Sequence, residues 1–116
     1  MEFEVSFFEG VYARDKSDTR IVELLGQLYT RTGKITDGLR MDRRMVRLQP
    51  KNPLAHYNLA CSLALKKRKK DAVESLHNAV ALGYNDIAWM IRDEDLTNLR
   101  EYPAFIELLN NLQKSE

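Results

Sequence analysis

Cys61, His56 and His77 are the residue types in this chain most often used as nucleophile, general base or metal ligand. Their spacing argues against those uses. His56 and Cys61 are five apart, so on a helix they do not share a face well, and His77 falls on a different helix. A Cys–His couple stays open at this level, but a core cysteine with surface histidines is the favoured reading. Two histidines and one cysteine without close ligand spacing make no metal motif. No glycine-rich phosphate loop follows a strand, and no nucleotide fingerprint is present. The residues therefore assign no catalytic role, no metal and no cofactor, and point away from an enzyme.

Charge offers two further candidates. Lys66, Lys67, Arg68, Lys69 and Lys70 put five cations in a row, a segment that could meet nucleic acid, an anionic surface or an acidic protein. No aromatic residues are interleaved with them, so base stacking is not indicated, and a solvated loop is the favoured alternative. Asp42 lies on an apolar stripe, where an acid is costly unless paired. Its expected partners are His56 or Tyr57 on the next helix, or the neighbouring Arg43 and Arg44, in a structural role.

The elements that must carry these residues are helical. Asp18 is a suitable N-cap for a helix over about 19–32, with Ile21, Leu24, Leu25, Leu28 and Tyr29 on its apolar stripe and Gly33 to stop it. A second helix is expected over about 36–48, ended before Pro50. Pro53 suits the first turn of a third, through about Lys66. The basic run makes the turn, and Asp71 can cap a fourth helix ending near Gly83. A short helix over about 7–14 precedes these. After them, Ile87–Ile91 starts a unit interrupted by Asp93-Glu94-Asp95, and Pro103 opens a final amphipathic helix.

Composition agrees with one soluble helical domain. The 116 residues are 44% hydrophobic and 30% charged, with 18 bases against 17 acids for a net charge of +1. A balance that even does not predict nucleic-acid binding by the surface as a whole, although it leaves room for a local patch. The lone cysteine excludes an intramolecular disulfide and fits a reducing compartment. No apolar run reaches about 18 residues, so no membrane insertion is expected. Glu2, Glu4 and Glu9 stand where a secretory signal would carry bases. A cytoplasmic protein is the expectation.

A period of 34 organises the helices. Leu25, Gly26, Tyr29, Gly38 and Leu48 are followed at that offset by Leu59, Ala60, Leu63, Ala72 and Leu82. Fixed periods of this length mark helix pairs that bury their apolar faces only by stacking on neighbours. The expected division is an incomplete leading repeat at about 5–18, repeats at 19–52 and 53–86, and a C-terminal capping unit at 87–116.

The chain resembles the tetratricopeptide repeat family. Val22, Leu25-Gly26, Tyr29, Gly38 and Pro50 follow that family's pattern in the first copy; His56, Leu59-Ala60, Leu63, Ala72 and Leu76 follow it in the second. Asp42 and Tyr84 depart from it. The tail, with Pro103, Phe105 and Leu108-Leu109, looks like the closing helix of small bacterial members. The resemblance implies an all-α, right-handed stack of antiparallel helix pairs, a TPR-like solenoid with two full repeats and atypical ends. It also implies a concave face, lined by the first helix of each pair, that binds peptides. The positions expected there are Arg20, Glu23, Gln27, Thr30 and Arg31, then Leu54, Tyr57, Cys61, Ala64 and Leu65. The alternative is that Tyr57, Cys61 and Leu65 are covered by the C-terminal helix. The family's clamp for a peptide carboxylate is not reproduced: Asn58 and Arg92 match it, but Glu23, Gln27 and Ala88 do not, and Glu23 would repel the ligand.

The function expected is a non-enzymatic interaction module or scaffold, with a protein or peptide partner at Arg20, Glu23, Gln27, Arg31, Tyr57, Cys61 and Leu65. The runner-up is a nucleic-acid or anionic-surface binder using the basic run. Self-association through Phe3, Phe7 and Phe8 is a third reading, so the chain is expected as a monomer or weak homo-oligomer.

Overall fold

The expected helices are present, some with shifted bounds, in a computed structural model describing residues 2–115; Met1 and Glu116, the latter within the expected capping unit, lie outside the described residues. Helix α1 spans Glu2–Arg14 and begins five residues before the expected start, with Glu2 and Glu4 at the end where the helix dipole favours acids. Helix α2 (Thr19–Arg31) is capped by Asp18, whose side chain accepts from the Arg20 amide at 3.1 Å. Helix α3 runs Ile35–Leu48, and α4 runs Pro53–Leu65. Asn52 caps α4 by accepting from the Leu54 amide at 3.0 Å, and Pro53 fills the first turn, where no N–H is needed.

Helix α5 covers Lys69–Ala81. Asp71 is therefore not its cap but a first-turn residue, and the turn is only Lys66–Arg68. The chirality of the preceding turn explains the difference. Lys67 takes a left-handed φ of 61°, letting the Arg68 amide donate back to the Leu63 carbonyl at 2.9 Å and closing α4 at Leu65, so that α5 already starts at Lys69, inside the basic run. Gly33 (φ 82°) and Gly83 (φ 110°) close α2 and α5 with the same bond pattern, to Tyr29 and Ala79.

The last unit is irregular. Helix α6 is short (Ile87–Arg92), and a 3-10 segment follows at Glu94–Leu99 before α7 (Pro103–Lys114). Asp93 breaks the helix because its carboxylate accepts from the Asp95 amide at 3.0 Å, a local bond that competes with helix continuation.

The all-helical chain packs in adjacent pairs, as a TPR-like stack of 46 × 26 × 21 Å. One core cluster joins α1 to α3 around Val22, Leu25, Met41 and Met45. A larger one joins α4, α5 and the C-terminal unit around Leu63, Leu76, Met90, Leu96 and Leu99. Small residues at the crossing let α2 and α3 approach. A Cβ on Gly38 would come within 2.8 Å of the Thr30 hydroxyl, and one on Gly26 within 3.0 Å of an Asp42 carboxylate oxygen. Among the described residues, no helix is long and apolar enough to cross a membrane.

Candidate functional site

The first helices of the two pairs, α2 and α4, lie side by side and leave a groove that the C-terminal unit closes on one flank. Helix periodicity puts Glu23, Gln27, Thr30 and Arg31 on one wall, spaced by three or four residues. Tyr57, Asn58, Cys61 and Leu65 form the floor from α4. Trp89, Asp93 and Asp95 form the far wall. The enclosed volume is about 400 Å³. Six of the seven residues expected on the binding face therefore meet in one concavity. Arg20 does not join them: its guanidinium pairs with Asp18 at 3.3 Å and its side chain is 88% exposed. Ala64 is wholly buried in the larger core, not in the groove. Leu54, 58% exposed, lines the adjoining hollows.

Tyr57 and Cys61 are covered, but not by the final helix. The Tyr57 ring stacks on Tyr84 at 4.3 Å, nearly parallel, and its hydroxyl donates to the Asp93 carboxylate at 2.7 Å. The Cys61 thiol points at the same oxygen, 3.7 Å away. Asn98 reinforces this flank by donating its side-chain amide to the Ala64 carbonyl at 2.8 Å. Burial pushes the Tyr57 phenol well above its usual range, with Cys61 and Asp93 adding to it. Burial, then Asp93 and Asp95, likewise raise the Cys61 thiol. Burial first and then Asp93 and Glu94 raise Asp95. Cys61, Asp93 and Asp95 hold one sulfur and two carboxylate oxygens within 4.8 Å of one another. The raised thiol pKa works against the thiolate that a nucleophilic step would require. Cys61 and the histidines do not form a couple, since the His56 ring nitrogen meets the Pro50 carbonyl at 2.7 Å and His77 is exposed.

Asp42 reaches the groove from α3. Its partner is Ser62 on α4, whose hydroxyl donates to it, and none of the four partners expected from sequence. His56 and Tyr57 are engaged as above, and Arg44 donates to the Lys16 carbonyl at 2.8 Å. Burial pushes the Asp42 carboxyl up to about 7, against the lowering effect of the Ser62 hydrogen bond.

The basic run is less free than its composition implies. Lys66 donates to the Thr36 hydroxyl at 3.0 Å, and Arg68 pairs with Asp71 at 2.9 Å. Lys67, Lys69 and Lys70 are exposed. The N-terminal aromatic residues are also outward: Phe3 is 83% and Phe7 57% exposed, with Phe8 half-buried against α2 and α3.

Trp89, Asp93 and Asp95 were not among the site residues expected from sequence. The available signal was an acidic triplet interrupting a helix just after the chain's one tryptophan. It reads equally as a capping turn, so only the fold shows that it faces α4.

No family model matches the chain, and no curated protein matches it. Among solved structures, it is similar to the crystal structure of MamA, with a TM-score of 0.67 and 19% identity over 90% of this chain. The chain spans 66% of that protein's length. At this identity the likeness is one of fold, a TPR-like helical repeat.

Proposed function

We propose that this chain is a non-enzymatic interaction module that receives a peptide segment of a protein partner in the groove between α2 and α4. A TPR-like fold suggests a scaffold role in general terms. The observation that carries the specific reading is the convergence of Glu23, Gln27, Arg31 and Asn58 with the half-exposed Trp89 around one concavity. Polar side chains that can satisfy a peptide backbone, beside an aromatic anchor, are what helix-lined peptide recognition uses. The accessible contacts are Glu23, Gln27, Arg31, Asn58, Leu65 and Trp89, while Tyr57 and Cys61 support the floor. In this reading α1 is the second helix of an incomplete leading repeat and the residues from Ile87 onward form the closing unit.

The chain's single tryptophan supplies the test. Peptides selected on the immobilised chain should shift Trp89 emission, and Asn58→Arg, which obstructs the groove, should abolish both the shift and binding. Peptide binding that is indifferent to Asn58→Arg would sink the reading.

A second reading is favoured by the exposed Phe3 and Phe7, which could pack on another copy. It requires a mass that rises with concentration in sedimentation and falls back on Phe3→Ser with Phe7→Ser. For the basic run, binding to duplex DNA would have to weaken steeply with salt and vanish when residues 66–70 are made neutral.

A further inference from the structure

The groove does not end at its 400 Å³ chamber. Two neighbouring hollows of about 420 and 250 Å³ adjoin it, and Asn58 lines all three. One continues over Leu54, Tyr84 and Trp89; the other runs between α2 and Leu54. Together they make a trough long enough for an extended segment, with a carboxamide at its centre that can both donate to and accept from a peptide unit.

The charge along this trough is one-sided. Glu23, Asp86, Asp93 and Asp95 line it together with the largely buried Asp42 carboxyl, and among the described residues Arg31 is the one cation in the lining. The whole chain carries 18 bases and 17 acids, so the trough is a local segregation and does not follow overall composition. The nearby cations among the described residues do not pair with these acids. Arg92 donates to the Ala88 carbonyl at 3.3 Å, and Arg100 reaches the backbone oxygen of Asp93, not its carboxylate, at 3.5 Å. Among the described residues, no ion pair engages any of the five acids. Asp93 is 6% exposed, yet among the described residues its carboxylate is met only by a phenol, a thiol and a backbone amide. The Trp89 ring already carries the Arg92 guanidinium 5.9 Å from its centroid, so its surroundings suit a stacked cation.

Resting on the peptide-groove reading above, we propose that the partner is a basic segment: an extended peptide that places an arginine or lysine between Trp89 and the Asp93–Asp95 wall and an apolar side chain against Leu54. The acids supply long-range attraction and register, and the two exposed apolar side chains supply the buried contact. A nucleic acid or an acidic peptide is repelled by the same wall.

The test begins with a random dodecapeptide library displayed on phage and panned on the full chain. Selected sequences should be enriched in arginine or lysine beside an apolar residue. A terminally blocked peptide of the selected sequence is then compared with its Arg→Gln counterpart by Trp89 fluorescence. The substitution should weaken binding by about tenfold, and Glu23→Gln and Asp95→Asn should each cost the arginine peptide roughly three- to tenfold while leaving the glutamine peptide unchanged. Both variants spare the Asp93 bonds, and circular dichroism confirms that they fold. If neutral or acidic peptides are selected, and Asn58→Arg still displaces them, the groove reading stands and the basic partner falls. If no peptide is selected, or binding ignores Asn58→Arg, the groove reading itself falls. Self-assembly lost in the Glu23→Gln/Asp95→Asn double variant would make the occupant a second copy's basic turn and overturn a foreign partner.

Discussion

The Ser62 hydroxyl donates to the Asp42 carboxylate across the α3–α4 interface, joining residues twenty apart in the chain. This bond makes an acid tolerable at a position where helix pairs of this kind are usually apolar. It does not make the acid free of cost, because one neutral hydroxyl offsets only part of the penalty for burying a charge.

Stability should therefore depend on pH with a definite sign. Burial raises the folded-state pKa of Asp42 to about 7 from 3.8. Between those values the folded chain keeps a proton that the unfolded chain has released, so its stabilising effect is complete below about pH 4 and lost as pH rises through 7. Three units correspond to at most about 4 kcal/mol. Urea unfolding from pH 4 to 8 should show the decline, and Asp42→Asn should flatten it. Ser62→Ala should cost more at pH 8 than at pH 5, because it removes a donor that the carboxylate needs.

The Tyr57–Asp93 bond ties the repeat to the closing unit. Tyr57→Phe keeps the stack on Tyr84 but deprives a buried carboxylate of a donor, and should cost about 1.5–3 kcal/mol in urea unfolding. Tyr57→Ala removes the ring as well and should cost about 3–5 kcal/mol. Lost binding in that variant would report lost structure, which is why Asn58 is the better probe of the groove.

Lys67 holds the left-handed position that Gly33 holds one repeat earlier. An L-residue with a side chain pays roughly 1 kcal/mol there that glycine does not. Lys67→Gly should raise the thermal midpoint by a few degrees, leaving the Lys66–Thr36 and Arg68–Asp71 contacts in place. Lys67→Ala should not.

Gly38→Ala sets helix propensity against space. Alanine is the better helix former by about 1 kcal/mol, but its Cβ would stand 2.8 Å from the Thr30 hydroxyl and 3.4 Å from the Gly26 carbonyl that this hydroxyl bonds. Crowding should win, with a net loss of about 1–2 kcal/mol. Adding Thr30→Ala should recover most of it, a coupling that a double-mutant cycle would measure.

Much of this was legible in the chain because repeat folds are built from local signals. The 34-residue period, the cap Asp18, Pro53, and the stops at Gly33 and Gly83 each act within a few residues of their own position, so the ranges expected for α2, α3 and α4 match to within a residue, while α5 starts earlier than a cap at Asp71 allows. The wall residues Glu23, Gln27 and Arg31 followed from helix spacing and the family resemblance. Other features depend on which segments meet. Nothing in the sequence sets Ser62 apart from the other serines, and only the α3–α4 crossing makes it the partner of Asp42. Asp93 and Asp95 looked like a break in a helix, and only docking of the C-terminal unit on α4 turns them into a wall facing Tyr57 and Cys61. Five lysines and arginines looked like one patch until the turn at Lys67 divided them. Periodicity and capping act along the chain and could be read from it. The pairing of buried polar groups acts between segments, and only the packed helices decide it.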